Sequence, residues 1–227
     1  MQPYLFPYLG YFQLIQAVET FVSCDNMQYT KKGWINRNRY LNHGKEDTFT
    51  LPLKNAHQKN DIIEREIASD FSAERLLLQF EKSYKRCSGF SENFPVIEEV
   101  LSFKERNLFH FILYSILRIS NHLGIPTKII PSSEIPVDHT LKKEQRVLAM
   151  CRCLGTSTYV NSSGGRSLYS PEFFAENGIS LRFLDPEPFQ YQQFTDTFVP
   201  WLSIVDVLMF NSAEKIKKQL TCYQLNS

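Results

Sequence analysis

The chain has 227 residues, 43% of them hydrophobic and 22% charged, which is typical of globular proteins and excludes the class of disordered, highly charged chains. The formal net charge is only +1, from 25 Lys and Arg against 24 Asp and Glu. Nucleic acid and anionic membrane surfaces are therefore disfavoured as partners, because both attract proteins largely through an excess of basic side chains.

The five cysteines are scattered and odd in number, unlike the dense, even sets that crosslink small secreted domains. No stretch approaches the roughly 20 apolar residues that span a bilayer, and the N-terminus lacks the basic and apolar regions of a signal peptide. We therefore expect a cytoplasmic protein without a membrane span.

The opening residues cannot be helical, because Pro3 and Pro7 restrict themselves and the residues before them to extended or turn conformations. Apolar residues then recur at helical spacing, and residues 20–24 have the pattern of a short buried strand that ends at Asp25. The sequence therefore predicts a loop, a helix and a strand in this order.

The middle of the chain combines a small β-hairpin insertion within 26–70 with a helical segment over 72–123. The predicted elements are a strand over 48–53, a helix over 72–86 and a longer helical region over about 93–123. Gly124 is the natural end of the last helix, since glycine is favoured directly after helix C-termini.

Strands and helices alternate beyond Gly124. The predicted elements are strands over 127–131, 158–161 and 180–184, helices over 142–154 and 171–177, and a last helix over about 202–220. Short strands that alternate with helices imply right-handed crossovers and a mainly parallel sheet. We therefore predict one α/β domain over 1–227, with flanking helices in a Rossmann-like or nucleotidyltransferase-like layout.

Polar residues follow several predicted strands, where ligands of open parallel sheets normally lie. These residues are Asp25, Ser132 and Ser133, the run 162–165 that contains Ser163, and Asp185. Each residue type is also common in helix caps and turns. Several of them at one sheet edge nevertheless favour a binding site.

The densest group of candidate ligand-binding residues lies within 25–39. It consists of Asp25, Gln28, Tyr29, Lys31, Lys32, Trp34, Asn36, Arg37, Asn38 and Arg39. Arginine can bind phosphate through two hydrogen bonds, amides can form hydrogen bonds with hydroxyls or base edges, and aromatic rings can stack on a sugar or base. The set suits a sugar nucleotide; the alternative is a solvated basic loop whose Trp34 and Tyr29 pack onto the core.

Several stretches carry a likeness to one known family. They are Gln-Pro-Tyr-Leu-Phe-Pro-Tyr-Leu-Gly-Tyr-Phe over 2–12, the strand ending at Asp25, Gln28-Tyr29, Lys31, Trp-Ile-Asn-Arg-Asn over 34–38, Ser132-Ser133 and Leu-Ser-Ile-Val-Asp over 202–206. Together they resemble the WbqC-like family, from residue 2 to about 211. The resemblance implies a role in the biosynthesis of bacterial O-antigen or other surface polysaccharides.

The opening is also similar to that of nucleotidyltransferase-type folds, in which a Pro-containing loop leads to a Gly-His pair at a helix N-terminus. Here the pair is Gly10 and Tyr11. Helix N-termini bind phosphates through free N–H groups, so this likeness favours phosphate binding near Gly10.

Other motifs have simpler explanations. The run Ser163-Gly164-Gly165 lacks the Lys and spacing of a P-loop and favours a turn. Cys151 and Cys153 fall on opposite faces of a predicted helix, and the five histidines show no ligand spacing. The sequence predicts no metal site and assigns no cofactor.

From the resemblance and this site we expect a transferase that modifies a nucleotide-linked sugar, by acyl or aminoacyl transfer to a sugar amine. Asp25 is expected to be the base or an orienting carboxylate, with Lys31 and Arg37 on phosphate or oxyanion. The substrate-binding residues are expected to be Gln2, Tyr4, Tyr8, Gly10, Tyr11, Gln28, Tyr29, Trp34, Asn36, Asn38, Ser132, Ser133 and Ser163.

The expected partners are a nucleotide-linked sugar or an activated acyl donor, including an acyl carrier protein. Two other function classes stay open. One is an ATP-dependent ligase or nucleotidyltransferase-like enzyme, and the other is a non-catalytic protein that binds a sugar or carrier.

Overall fold

Three small sheets and eight α-helices make up the part of the chain that the computed structural model describes, residues 1–55, 57 and 59–227. The strands are β1 (Thr20–Ser23), β2 (Arg37–Asn42), β3 (Lys45–Thr50), β4 (Lys128–Pro131), β5 (Thr158–Ser162), β6 (Ser180–Pro186) and β7 (Tyr223–Asn226). The helices are α1 (Leu9–Gln16), α2 (Ala73–Tyr84), α3 (Phe90–Leu101), α4 (Leu108–His122), α5 (Lys143–Cys153), α6 (Pro171–Glu176), α7 (Ile204–Phe210) and α8 (Ala213–Gln219). Short 3₁₀ helices cover Ile62–Glu64, Ser132–Glu134 and Ser163–Leu168.

Among the described residues, parallel pairing is confined to two pairs of strands. β1 pairs with β4, and β5 pairs with β6, whose other edge carries the antiparallel β7. β2 and β3 form an antiparallel hairpin that turns at His43 and Gly44, both with positive φ. The fold is mixed α/β, but the expected mainly parallel sheet of a Rossmann-like layout is not confirmed, because the described strands form three separate sheets.

The helix predicted over 72–86 is confirmed as α2. Its N-cap is Ser72, whose Oγ accepts a hydrogen bond from the Arg75 backbone N–H at 3.1 Å. Gly124 follows α4 with a φ of +70°, as predicted for a glycine after a helix.

Two long helices predicted from apolar periodicity are each divided in the structure. The region 93–123 is wrong as a single helix, since α3 ends at Leu101 and Asn107 caps the start of α4 by accepting from the His110 N–H at 3.1 Å. The tail 202–220 is likewise two helices, because Ser212 caps α8. Within the described chain, no helix is long and apolar enough to cross a membrane.

The main core gathers α1, the β2–β3 hairpin, α2, α3, α4 and α7, and its largest side chains are aromatic. Phe6, Tyr11 and Phe12 of the N-terminal region are all fully buried. Part of the aromatic N-terminal stretch thus belongs to the hydrophobic core. Burial of each such side chain stabilises the folded state by roughly 2 kcal/mol or more. A smaller apolar cluster lies around β5, β6, α5 and α6.

Candidate functional site

The N-terminal turn, residues 2–8, lies against the segment that begins β2. The Leu5 N–H donates to the Ile35 carbonyl at 2.9 Å, and the Asn38 Nδ2 donates to the carbonyls of Leu5 and Phe6 at 3.1 and 2.8 Å. The structure therefore brings together the two stretches that the sequence analysis singled out, although about thirty residues separate them.

A small pocket of about 260 Å³ opens where these two stretches meet. It is lined by Tyr4, Pro7, Tyr8, Trp34, Asn38, Arg39 and Trp201. Trp34 is 41% exposed, and the guanidinium carbons of Arg37 and Arg39 lie 5.3 and 5.9 Å from its ring centroid. The Trp34 ring at the edge of the pocket is thus in cation–π contact with both arginines, of which Arg39 also lines the pocket.

Both arginines are partly occupied by other groups. Arg39 pairs with Glu46 at 3.1 Å and donates to the carbonyls of Pro200 and Trp201 at 3.2 and 3.1 Å. Arg37 donates to the carbonyls of Gly33 and Lys32. Their first effect is to hold the loops that carry Trp34 and Trp201.

A larger cavity of about 670 Å³ shares Tyr8 and Trp201 with the small pocket. The two rings meet edge to face with centroids 5.9 Å apart, so they form the wall between the two spaces. The rest of the lining is Leu9, Gly10 and Gln13 of α1, Pro186 of β6, Val207 of α7, and Glu187, Pro188, Phe189, Gln190, Tyr191, Asp196, Thr197, Phe198, Pro200 and Leu202 of the loop after β6. This volume lies within the range of small-molecule sites.

Gly10 is required by a close approach at the start of α1. A Cβ at this position would lie 2.4 Å from the Tyr8 Cε2 and 3.0 Å from the Pro186 Cγ. The absent side chain therefore lets the Tyr8 ring fold back beside the helix. Tyr11 is fully buried and donates its hydroxyl hydrogen to the Gln2 carbonyl at 3.1 Å, so it supports the turn from inside and lines neither cavity.

Asp25 lies elsewhere, at the carboxyl ends of β1 and β4. Its Oδ1 accepts hydrogen bonds from the Ser132 hydroxyl and the Ser133 N–H, both at 2.9 Å, and its Oδ2 accepts from the Ser133 hydroxyl. Burial raises the pKa of the Asp25 carboxyl, but the hydrogen bonds from Ser133 and Ser132 outweigh burial and hold the pKa below its ordinary value. Asp25 is therefore an ionised carboxylate that ties β4 to β1.

The neighbours of Asp25 extend this polar cluster. The Arg146 Nη1 donates to the Asn26 carbonyl at 3.1 Å, and the Asn26 Nδ2 lies 3.1 Å from the His139 Nδ1. Asp25, Ser132 and Ser133 thus meet at one edge, as predicted, but Ser163 does not join them. Its hydroxyl bonds the Asp185 carboxylate at the end of the β5–β6 pair.

Other predicted site residues act inside the fold. The Tyr29 hydroxyl donates to the Asn36 Oδ1 at 2.8 Å, and the Asn36 Nδ2 donates to the Leu51 carbonyl at 2.7 Å. These two buried side chains fasten the loop before β2. Lys31 and Gln28 are exposed on the same loop.

The sequence analysis missed Gln13 and the whole lining between Glu187 and Trp201. Gln13 lies one turn along α1 from Leu9 and Gly10. Helical spacing alone therefore places all three residues on one face of the helix. The loop after β6 carries no periodicity that could have marked it. Its one recognisable signal is the Leu-Ser-Ile-Val-Asp motif at its end.

Asp206, the last residue of that motif, is fully buried behind the larger cavity. It accepts hydrogen bonds from the hydroxyls of Tyr84 and Tyr191 at 2.8 and 2.6 Å and from the Gln193 Nε2 at 3.2 Å. Burial raises the pKa of its carboxyl to about 6, against the lowering effect of these donors. Because Tyr191 lines the cavity, Asp206 positions part of its wall. Among the described residues, no three His, Cys, Asp or Glu side chains are grouped as ligands of one metal ion.

Comparison with known proteins shows the family to which the chain is similar. A sequence model of the WbqC-like protein family matches residues 2–218. A Mycobacterium tuberculosis protein, named Uncharacterized protein Rv1507c, is 28% identical over 213 residues, which cover 92% of this chain and 90% of that protein. No solved structure matches the chain.

Proposed function

Because the chain belongs to the WbqC-like protein family, we propose that it is an enzyme of bacterial surface-polysaccharide (O-antigen) biosynthesis that modifies a nucleotide-linked sugar. One observation carries the proposal. The two cavities, of about 260 and 670 Å³, share the lining residues Tyr8 and Trp201. The two spaces therefore adjoin, and we assign to them the two chemically different ends of one extended ligand.

The small pocket suits the nucleotide end of such a ligand. A base can pack against the exposed part of the Trp34 side chain. The guanidinium groups of Arg37 and Arg39 lie over the same ring and are close enough to attract the phosphates. Lys31 and Lys32 are exposed on the turn that precedes Trp34, and their charges favour the phosphates. The larger cavity then receives the sugar, whose apolar faces pack on aromatic rings.

The reaction that we propose is acyl or aminoacyl transfer to a sugar amine. The amine nitrogen forms a bond to the carbonyl carbon of an activated acyl donor, such as an acyl carrier protein. The amine attacks in its neutral form, so a bound ammonium group first gives one proton to water. The bond from that carbon to the donor breaks, and the second proton lost by the nitrogen passes to the leaving group. Positioning and charge stabilisation supply much of the rate in such reactions.

Asp25 lines neither cavity, and it does not fit the role of base. Its pKa is lowered, and its oxygens already accept hydrogen bonds from Ser132 and Ser133. A catalytic role for Asp25, Lys31 or Arg37 stays a prediction. A nucleotide-linked substrate also places the proposed reaction in the cytoplasm.

The first experiment measures binding of UDP-, GDP- and dTDP-sugars by thermal shift and calorimetry. A ligand at about 100 times its Kd stabilises the folded state by about 2.7 kcal/mol, which gives a clear rise in Tm. We expect Trp34→Ala to weaken the bound sugar nucleotide about tenfold, because a stacking face is worth on the order of 1–3 kcal/mol.

Phe103→Ala is the matched control, since Phe103 is also a partly exposed aromatic residue and lines neither cavity. It should leave the affinity unchanged. If no sugar nucleotide raises Tm, or if Trp34→Ala binds as the wild type does, the proposed site is wrong.

A nucleotidyltransferase-like or ATP-dependent enzyme is the second candidate. The observation in its favour is the first turn of α1, which has no side-chain cap and borders the larger cavity at Leu9 and Gly10. The carboxylates of Glu187 and Asp196 on the same cavity disfavour a phosphate there. Release of pyrophosphate from ATP and magnesium would support this candidate, and binding of a sugar nucleotide without any turnover would support a non-catalytic protein.

A further inference from the structure

Two carboxylates of the larger cavity have no counterion among the described residues. Glu187 and Asp196 both line it and are exposed, and neither side chain forms a hydrogen bond or ion pair with any residue that the structure describes. No Lys, Arg or His of the described chain lines this cavity. The Lys215 Nζ lies 5.5 Å from the ring centroid of Phe189, itself a lining residue. The described lining of the cavity therefore has two negative side chains and no positive one.

A buried acceptor in the same lining is also unsatisfied. Gln13 is 1% exposed, and its Nε2 donates to the carbonyls of Gln219 and Cys222 at 2.8 and 3.0 Å. These two bonds fix the amide, and its Oε1 then has no donor among the described residues. An acceptor left in this state costs free energy that a ligand N–H or O–H could recover.

The aromatic part of the lining favours positive charge as well. Rings of Tyr8, Phe189, Tyr191, Phe198 and Trp201 surround the space, and the faces of such rings attract cations. Carboxylates without a counterion, a free amide oxygen and aromatic faces are together the chemistry that recognises a protonated amine. A phosphate would be repelled from this space, and the Arg-flanked Trp34 pocket on the other side of Tyr8 is the place for it.

We infer that the larger cavity is an amine-recognition site, in which Glu187 and Asp196 attract the ammonium group of an amino sugar and Gln13 Oε1 accepts one of the ligand's N–H or O–H groups. The inference deepens the proposed function and rests on it for the position of the nucleotide. It divides one ligand between the two cavities, with the phosphates beside Trp34 and the amino sugar on the far side of Tyr8 and Trp201.

The test compares three probes that differ at one substituent: UDP-glucosamine, UDP-N-acetylglucosamine and UDP-glucose, each titrated by calorimetry at neutral pH. We expect UDP-glucosamine to bind up to about tenfold more tightly than the other two, because among the three only UDP-glucosamine carries an ammonium group for the two carboxylates. Free glucosamine and glucose, titrated separately, report on the larger cavity without the nucleotide.

The variants Glu187→Gln and Asp196→Asn remove charge and keep the shape of the side chain. We expect each to reduce the preference for the amine several-fold, and the double variant to abolish it, while the affinity for UDP-glucose stays the same. Glu98→Gln is the control, because Glu98 is an exposed carboxylate of α3 that lines neither cavity.

The outcomes separate this inference from the proposed function. Equal binding of all three UDP-sugars overturns the amine site but leaves nucleotide-sugar binding in place. Binding of glucosamine over glucose, with no contribution from UDP, supports the amine site and overturns the proposed nucleotide pocket. An amine preference that survives in the double variant also overturns the assignment of Glu187 and Asp196.

Discussion

Asp206 is a fully buried carboxyl group whose charge is only partly compensated by its neighbours. Three donors, on Tyr84, Tyr191 and Gln193, bond its oxygens, and no cation of the described chain pairs with it. Hydrogen bonds from neutral groups replace water incompletely, so burial dominates. The pKa of the Asp206 carboxyl is therefore raised to about 6, so the group keeps its proton in mildly acidic solution.

The pH dependence of stability should reveal this group. The pKa of Asp206 in the folded chain, about 6, lies above its ordinary value of 3.8, so the folded state binds the proton more tightly than the unfolded state does. Its stabilising contribution is therefore complete below the unfolded value and is lost as pH rises through the folded value. Two pKa units correspond to about 3 kcal/mol.

Urea denaturation of the wild type and of Asp206→Asn between about pH 4 and pH 7 tests this prediction. The free energy of unfolding of the wild type should fall relative to that of the variant by up to about 3 kcal/mol across this interval. Asp25→Asn is the control, since the pKa of Asp25 is lowered and its difference from the wild type should change only at more acidic pH. A constant difference for Asp206→Asn would mean that Asp206 titrates as an ordinary carboxyl.

Single residues differ in how far the sequence could identify them. Asp25 could be found because it follows a strand, and polar residues at strand ends are a general signal. Asp206 and Gln13 could not be assigned a role, because their importance depends on groups far along the chain. The Tyr84 hydroxyl that reaches Asp206 belongs to a residue 122 positions away, and the carbonyl that fixes Gln13 is 206 positions away.

At the scale of elements, the contact between α3 and α7 is made backbone to backbone. The Gly89 N–H donates to the Met209 carbonyl at 2.8 Å. The fully buried Asn93 donates through Nδ2 to the carbonyls of Gly89, Leu208 and Asn211 at 3.0, 2.8 and 2.9 Å. One amide therefore fastens the end of α7 to the start of α3.

Gly89→Ala should break this contact. A Cβ there would lie 2.3 and 2.4 Å from the carbonyl oxygens of Asn211 and Leu208, which are backbone atoms and cannot rotate away. The φ of Gly89, −89°, suits any residue, so the contact alone causes the loss, which we expect to be about 3 kcal/mol. Gly164→Ala, with nothing within 4 Å of the added Cβ, should change stability by less than about 0.5 kcal/mol. Equal effects of the two substitutions in urea denaturation would contradict the packing argument.

The elements that the sequence predicts well are those whose ends carry local signals. α2 has Ser72 as a cap, and glycines follow α4, α5 and α6 with positive φ. β2 could not be predicted, because it buries Asn38 and Tyr40 on one face. Asn38 is acceptable there only through its bonds to the N-terminal turn. Asn38 therefore interrupts the apolar pattern of β2 with an inward polar side chain that only distant backbone satisfies.

At the scale of the whole molecule, three distant parts of the chain meet at one carbonyl. The Phe6 oxygen accepts from the Asn38 Nδ2 and from the Ser203 Oγ, both at 2.8 Å. Phe6 is fully buried and has a φ of 44°, a left-handed conformation that is strained for a bulky residue. The N-terminal turn, the hairpin and the loop before α7 therefore hold one another in place, and both cavities depend on that junction.

A double-mutant cycle measures this dependence. Asn38→Ala and Ser203→Ala should each cost about 1–3 kcal/mol, since each leaves the Phe6 carbonyl with one donor. The double variant leaves it with neither, so its cost should exceed the sum by about 1 kcal/mol. Asn38→Ala combined with Ser170→Ala is the control, because Ser170 caps α6 and does not contact the N-terminal turn. Additivity of Asn38→Ala and Ser203→Ala within about 0.5 kcal/mol would show that the three segments are held independently.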